Sequence, residues 1–413
     1  MSTNELNILL MVLGGMLLLL ELFSNYFKIN FFISEPIVAL AFGFIAGPSA
    51  LGLLELGNWG DPIIILKEIA RITIAITLIG IAFRLPNSFI PDNRKDMFVL
   101  ILIVLPLMWL VSGFLTYLFI GLPIWTALLI GACVAATDRV VAGTIVTGET
   151  AEENIPKGVR HLISAESAAN DALAFPFVMI PILFMDLPSM EAVRDLVLRV
   201  VLWETIGAVA AGIILGYIIG RLLLWTEIHP DVERRSLIAI ALSTALATLG
   251  MVKLLHSDAL LAVFASGVTM NLVIGEKFDP KAEHIEEIIK RFVDLPIFFL
   301  FGLILPWHQW FEFGWPLMVL AAAILLLRRL PALLLTKKLI GQFRTLGDNL
   351  FAGWFGPIGV AAIFYSTLAF ERTGELKVWA VGSFIIFVSF IMHCVTDMPF
   401  TKLYGRKNRQ ISQ

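Results

Sequence analysis

Two short stretches decide the fold. One is Ala135-Ala136-Thr137-Asp138. The other is Ser164-Ala165-Glu166-Ser167-Ala168-Ala169-Asn170-Asp171-Ala172-Leu173-Ala174-Phe175-Pro176. Both place acidic and amide side chains inside runs that are otherwise apolar. Runs of this kind belong in a bilayer, where a charged side chain at mid-depth costs about 2.5–3.5 kcal/mol and marks a functional site by default. The rest of the chain is read as the frame that holds these carboxylates together and lets an ion reach them.

The composition supports a membrane setting. Of 413 residues, 58% are hydrophobic and only 15% charged, against about 25% charged in an ordinary soluble domain. Mean hydropathy is +0.88. A polytopic all-α membrane protein follows, because only helices and closed barrels satisfy the main chain in lipid. Cys133 and Cys394 both lie in apolar runs and are expected to be buried thiols rather than a disulfide. No Cys or His cluster suggests a resident metal, so no cofactor is expected. Nothing points to a nucleic-acid partner or to an enzyme. Residues 1–23 lack a basic leader and a small-residue cleavage site, and are expected to be a first spanning helix rather than a removable signal.

Apolar runs of about 20 residues place about thirteen spanning helices. The first seven lie near residues 6–23, 30–47, 62–83, 97–120, 122–147, 158–185 and 195–225. The other six lie near 235–252, 258–275, 287–307, 313–337, 347–371 and 375–398. No sizeable soluble domain fits between them, and 399–413 is expected to be a short tail. Lys and Arg alternate between connections with a bias of about four to one, which puts the C-terminus in the cytoplasm and the N-terminus outside. The odd count suggests two inverted six-helix halves about a linking helix. Gly131 and residues 135–138 fall in the fifth helix of one half; Gly353-Trp354-Phe355-Gly356-Pro357-Ile358-Gly359 fall in the fifth of the other, the twelfth of the chain. Corresponding helix-weakening stretches point to a pair of broken, crossing helices around a midplane site.

Asp138 and Asp171 are the pair expected to carry the chemistry. Away from water and a few ångströms apart, two carboxylates cannot both stay ionised unless a cation or a proton sits with them. Such a site holds either protons or a metal ion, in competition. A hard monovalent cation takes oxygen ligands, which Asp138, Asp171, Ser167 and carbonyls near Thr137 supply. Ser167 and Asp171 are four apart and share a helix face, and so do Glu166 and Asn170. Glu166 needs its own partner, and Arg328 and Arg329, in the apolar run 321–335, are the available cations. A Glu166–Arg329 pair would join the two halves, with Asn170 tying Thr137 or the broken backbone.

The stretch from Arg160 to Phe177 resembles the signature of NhaP-like Na+/H+ antiporters, especially the branch that includes the fungal plasma-membrane exchangers. Ala136-Thr137-Asp138, Arg329-Leu330-Pro331 and Gly353 to Gly359 resemble three further motifs, in the family's order. The resemblance implies a homodimer in the plasma (bacterial inner) membrane. It implies core helices at 97–185 and 313–398 moving against dimerisation helices at 1–90 and 195–307. It makes Asp171 the essential ion- and proton-binding carboxylate, with Asp138, Ser167 and the Thr137 carbonyl completing the Na+ site. Glu166 and Arg329 are structural by the same match, and the Asn170-Asp171 pair goes with electroneutral exchange. Transported Na+ or Li+ and H+ are then cargo.

Two positions depart from the family pattern: Arg139 stands where Pro is usual, and Ala172 where Gly is frequent. Arg139 bears on ion affinity or pH set-point. Among lesser residues, Lys67, Glu68 and Arg71 have the spacing of a helix-end ion-pair cluster. His161 is a possible pH modulator, Asp258 is expected to be solvated, Asp294 to line an entrance, and residues 307–315 to form an interfacial Trp belt. Two other readings compete with Na+/H+ exchange. One is a K+-preferring or non-selective exchanger. The other is an intramembrane aspartyl protease, disfavoured by the Ala-Leu-Ala that follows Asp171. A sensor on a transporter fold would carry a large soluble domain.

Overall fold

A computed structural model describes residues 3–31, 34–138, 148–228, 237–275 and 282–411. Among them the structure is helical, without strands, because apolar segments pair their own main-chain groups most simply by coiling. The helices are α1 (Thr3–Phe31), α2 (Glu35–Ala46), α3 (Pro62–Arg84), α4 (Arg94–Ile120), α5 (Ile124–Cys133), α6 (Lys157–Leu173), α7 (Phe175–Asp186) and α8 (Ser189–Thr226). They continue as α9 (Leu237–Leu254), α10 (Ala259–Ile274), α11 (Ala282–Leu303), α12 (Trp315–Leu327), α13 (Leu330–Thr336), α14 (Leu346–Trp354), α15 (Val360–Thr373) and α16 (Leu376–Ile411). Short turns of helix link some of these. Each of the thirteen expected segments holds helix among its described residues, several of them split in two, so the helix count is roughly as expected. Seven segments among the described residues are long and apolar enough to cross a membrane, and others are shorter apolar helices such as α5 and α10.

The ends of the helices follow from their capping residues. Asp61 precedes Pro62 and accepts from the Ile63 and Ile64 amides at 2.8 and 3.4 Å, which starts α3. Asp258 accepts from the Leu260 and Leu261 amides at 3.1 and 3.2 Å and starts α10. Asp258 is therefore buried, 7% exposed, and not solvated as its loop position suggests. The preference of Asp for the N-cap overrides that expectation.

Small residues set the closest helix crossings. Gly212, Gly216 and Gly220 recur every four residues on α8, and a Cβ at each would strike Ala262, Ser266 and Val273 of α10. Without a hydrophobic force between helices in lipid, such close contact supplies the packing energy. α3 lies at the centre, packed on α6, α9, α10, α11 and α15. Lys67 on α3 is 9% exposed and reaches both carboxylate oxygens of Glu371 at the end of α15 at 2.7 and 2.8 Å. Arg71 pairs with Glu68 at 2.5 Å. The expected helix-end cluster is thus also a strap between α3 and α15.

Two segments differ from the hydropathy reading. The run expected to be helical over 122–147 leaves the helix after Cys133. The last helix continues past 398 to Ile411, and Tyr404 is buried against Phe351 at 4.4 Å between ring centroids. In the Trp-rich stretch, Trp315 is exposed, but Trp310 is buried and its indole N–H donates to Ala380 O at 3.0 Å. Asp294 is buried and accepts from the Thr77 hydroxyl at 3.2 Å. Cys133 and Cys394 are free, buried thiols, as expected.

Candidate ion-binding site

The two breaks expected from sequence face each other. Residues 134–138 follow α5 without helical structure, and residues 355–359 separate α14 from α15. The Asp138 amide donates to Pro357 O at 2.7 Å, and the Val360 amide donates to the Asp138 carboxylate. Freed main-chain groups in lipid need partners, and here each broken strand supplies some for the other. Side chains supply the rest. Arg328 donates to Val134 O and, at 3.4 and 3.3 Å, to Ala135 O and Ala136 O; its other terminal nitrogen donates to Gly356 O. The Ile358 amide donates to Ser389 Oγ at 2.9 Å, and His393 Nε2 lies 2.9 Å from Trp354 O.

α6 brings its polar face to this crossing. Ser167 Oγ donates to Thr137 O at 2.5 Å, and Asn170 Nδ2 donates to Thr137 Oγ1 at 3.3 Å and to Glu166 Oε1 at 2.5 Å. Glu166 and Arg329 form a fork-to-fork pair at 2.6 and 2.8 Å, 1% and 2% exposed. Arg329 Nε also donates to Ala352 O at 2.8 Å. Planar guanidinium matches carboxylate in this two-bond geometry. Asp171 is buried, and its Oδ1 has no hydrogen-bond partner among the described residues. Glu166 is thus paired with Arg329, while Asp171 keeps an acceptor free.

The chain matches the family described as sodium/hydrogen exchanger, transmembrane, over residues 9–402. A Na(+)/H(+) antiporter of Schizosaccharomyces pombe is 30% identical over 420 residues, covering 95% of this chain and 90% of its own. The chain belongs to the sodium/hydrogen exchanger family. A Na(+)/H(+) antiporter of Saccharomyces cerevisiae is 32% identical over 366 residues, 86% of this chain but 37% of that protein. The chain likewise spans about half the length of two other fungal relatives, at 48% and 50%. A sodium proton antiporter of Methanocaldococcus jannaschii superposes with a TM-score of 0.72 at 20% identity, covering 97% of this chain and 99% of its own, which shows the same fold.

In this exchanger-family chain, the structure brings together Thr137, Asp138, Glu166, Ser167, Asn170, Asp171 and Arg329. His161 sits apart, its ring edge-on to Phe89 at 5.4 Å. Arg139 lies outside the described residues. The role of Arg328 is new. Its partners are carbonyls of both broken strands rather than an acid, and the only sequence signal is a second Arg in an apolar run. Near the C-terminal end of α15 a cavity of about 480 Å³ opens, lined by Lys67, Phe175, Glu204, Asp258, Phe364 and Glu371 among others.

The glycines of the second break are fixed by close approach. A Cβ on Gly356 would run into the Arg329 side chain, and one on Gly359 into the Asp138 carboxylate. Gly359→Ala is therefore expected to displace Asp138. The apparent cation affinity should fall at least about tenfold, equivalent to about 1.4 kcal/mol, with the protein still folded. Cation-dependent pH changes in vesicles check this; unchanged affinity would show that Asp138 tolerates the shift.

Proposed function

We propose that this protein is a secondary antiporter that exchanges Na+, and Li+ as a close analogue, for H+ by alternating access. Asp171 carries the proton or the cation in turn, and Asp138, Ser167 and the Thr137 carbonyl complete the oxygen site. The observation that carries this reading is the pair of opposed helix breaks, with α6 tied to the first break through Ser167 and Thr137, and one oxygen of the buried Asp171 carboxylate left for a ligand. Family membership supports the same reading. Competition between proton and cation for one site couples the two flows, because a site that crosses only when occupied returns with whichever ion replaced the first. Glu166 is fully paired and Asn170 carries no charge. Asp138 accepts from the Val360 amide, and one proton and one monovalent cation compete for the Asp171/Asp138 pair, so the cycle is electroneutral.

The multi-pass chain sits in the plasma or bacterial inner membrane as a homodimer, N-terminus outside and C-terminus cytoplasmic. The segments 97–185 and 313–398 form the moving core and 1–90 with 195–307 the dimer scaffold. Packing of α2 on α11, and of α8 and α3 on α10, supports the scaffold grouping; packing of α4 on α5 and α12, and of α15 on α16, supports the core.

The test is reconstitution into vesicles with a lumenal pH dye. Addition of Na+ or Li+ is expected to move protons across the membrane in wild type, and Asp171→Asn is expected to reduce the response at least about a hundredfold. Carrying out the assay with K+ as well defines selectivity. Equal traces for wild type and Asp171→Asn with every cation would overturn the assignment.

A further inference from the structure

α6 and α7 are one apolar run in sequence, yet the chain leaves the helix at Ala174, three residues after Asp171. Pro176 contributes, since it has no N–H for the carbonyl four residues back. A second agent is Tyr365, on α15, whose side chain is fully buried. Its hydroxyl donates to the main-chain Asp171 O at 2.7 Å. Phe175, four residues after Asp171, opens α7. Residues 171 and 175 are the i and i+4 positions whose carbonyl and amide would otherwise close the helical turn. The phenol hydroxyl takes that amide's place as the donor to the Asp171 carbonyl.

Tyr365 is five residues along α15 from Val360, whose amide holds the Asp138 carboxylate. One helix of the second repeat therefore grips both acidic residues of the first, Asp138 through its side chain and Asp171 through its main chain. α3 holds the far end of the same helix through Lys67 and Glu371. Pairing the Asp171 carbonyl with a hydroxyl from another helix fixes where that turn sits, and hence where the Asp171 side chain projects.

We infer that Tyr365 is a positioning residue for the ion site: its hydroxyl, bonded to the Asp171 carbonyl where α6 gives way to α7, holds the Asp171 carboxylate in register with Asp138. This rests on the antiport reading above. The hydroxyl touches no transported ion and acts only through Asp171. Without it, Asp171 O and the Phe175 amide are free to pair directly, tightening the turn and drawing the carboxylate away from Asp138.

The test is Tyr365→Phe, which removes one oxygen and keeps the ring. In vesicles the apparent Michaelis constant for Na+ is expected to rise about tenfold and the pH profile of exchange to shift. The maximal rate should stay within about twofold, and the purified variant should elute and unfold as wild type does. A purely structural role would lower the unfolding temperature without moving affinity or pH profile. Wild type that responds to Na+ beside a variant with unchanged affinity and pH profile overturns the role of Tyr365 and leaves the antiport reading intact. Wild type that responds to no cation overturns both. Loss of folded variant protein would make the hydroxyl a strut of the fold, and overturns the positioning role.

Discussion

Arg329→Met alone is expected to cost about 3–5 kcal/mol of stability, the usual cost of stranding one partner of a buried ion pair. Glu166 is 1% exposed and has no second cation in two-bond contact among the described residues. Its charge would be left buried with, among the described residues, only the Asn170 amide donating to it. Glu166→Leu alone should cost a similar amount by stranding the guanidinium. The combined Glu166→Leu/Arg329→Met variant is expected to recover part of the loss, since apolar replacement of a whole buried pair is often close to neutral. It should not recover all of it. Ala352 O loses the Arg329 donor and Asn170 loses an acceptor, at about 1–3 kcal/mol for each buried group left unpaired. Thermal unfolding of the four purified proteins in one detergent completes a double-mutant cycle. Two single variants that each cost under about 1 kcal/mol, with no coupling between them, would remove the pair from its bracing role.

The sequence made that pair legible because charge at bilayer depth cannot stand alone. Glu166 demanded a cation, and residues 321–335 offered Arg328 and Arg329. The helix order was legible for a related reason: apolar run length and Lys/Arg placement are one-dimensional properties. Both breaks were legible, unequally. Gly353 to Gly359 announces a weak helix, whereas the first break offers only Gly131 inside α5 and the weak helix formers Val134, Thr137 and Asp138 around two Ala. What ends α5 is pairing with the opposite strand and with Arg328, and main-chain partners leave no letter in the sequence. The same reason hid Tyr365, whose acceptor is a carbonyl nearly two hundred positions away. Asp258 was misjudged for a local reason. An Asp directly before an apolar helix is an N-cap signal, and burial follows when the capped end is itself packed. Tyr404 sits in a segment polar enough to read as a tail; only its stacking on Phe351 shows that the last helix continues along α14.

Arg328→Met is expected to abolish exchange more completely than its distance from any acid suggests. The side chain is 2% exposed and makes no ion pair of its own among the described residues. Its two terminal nitrogens reach carbonyls of both broken strands, Val134 to Ala136 on one and Gly356 on the other. Hydrogen bonds from a charged group contribute about 1.5–3 kcal/mol each. Losing the bond on each strand should therefore weaken the crossing by about 3 kcal/mol or more. The strands carry the site: Asp138 accepts from Val360 on one side of the second break, and Thr137 O accepts from Ser167 on the first. If the crossing loosens, the ligands lose their common frame, and cation-driven proton movement should fall at least about a hundredfold. Arg328→Lys is expected to rescue little. An ammonium keeps the charge but is a compact point donor, without the planar fork that spans two strands at once. This separates geometry from field: a role confined to positive charge near Asp138 predicts that Lys restores exchange, and a role in holding the crossing predicts that it does not. Vesicle assays of Arg328→Met and Arg328→Lys beside wild type decide it, with full activity of the Lys variant as the result that would assign Arg328 to electrostatics alone.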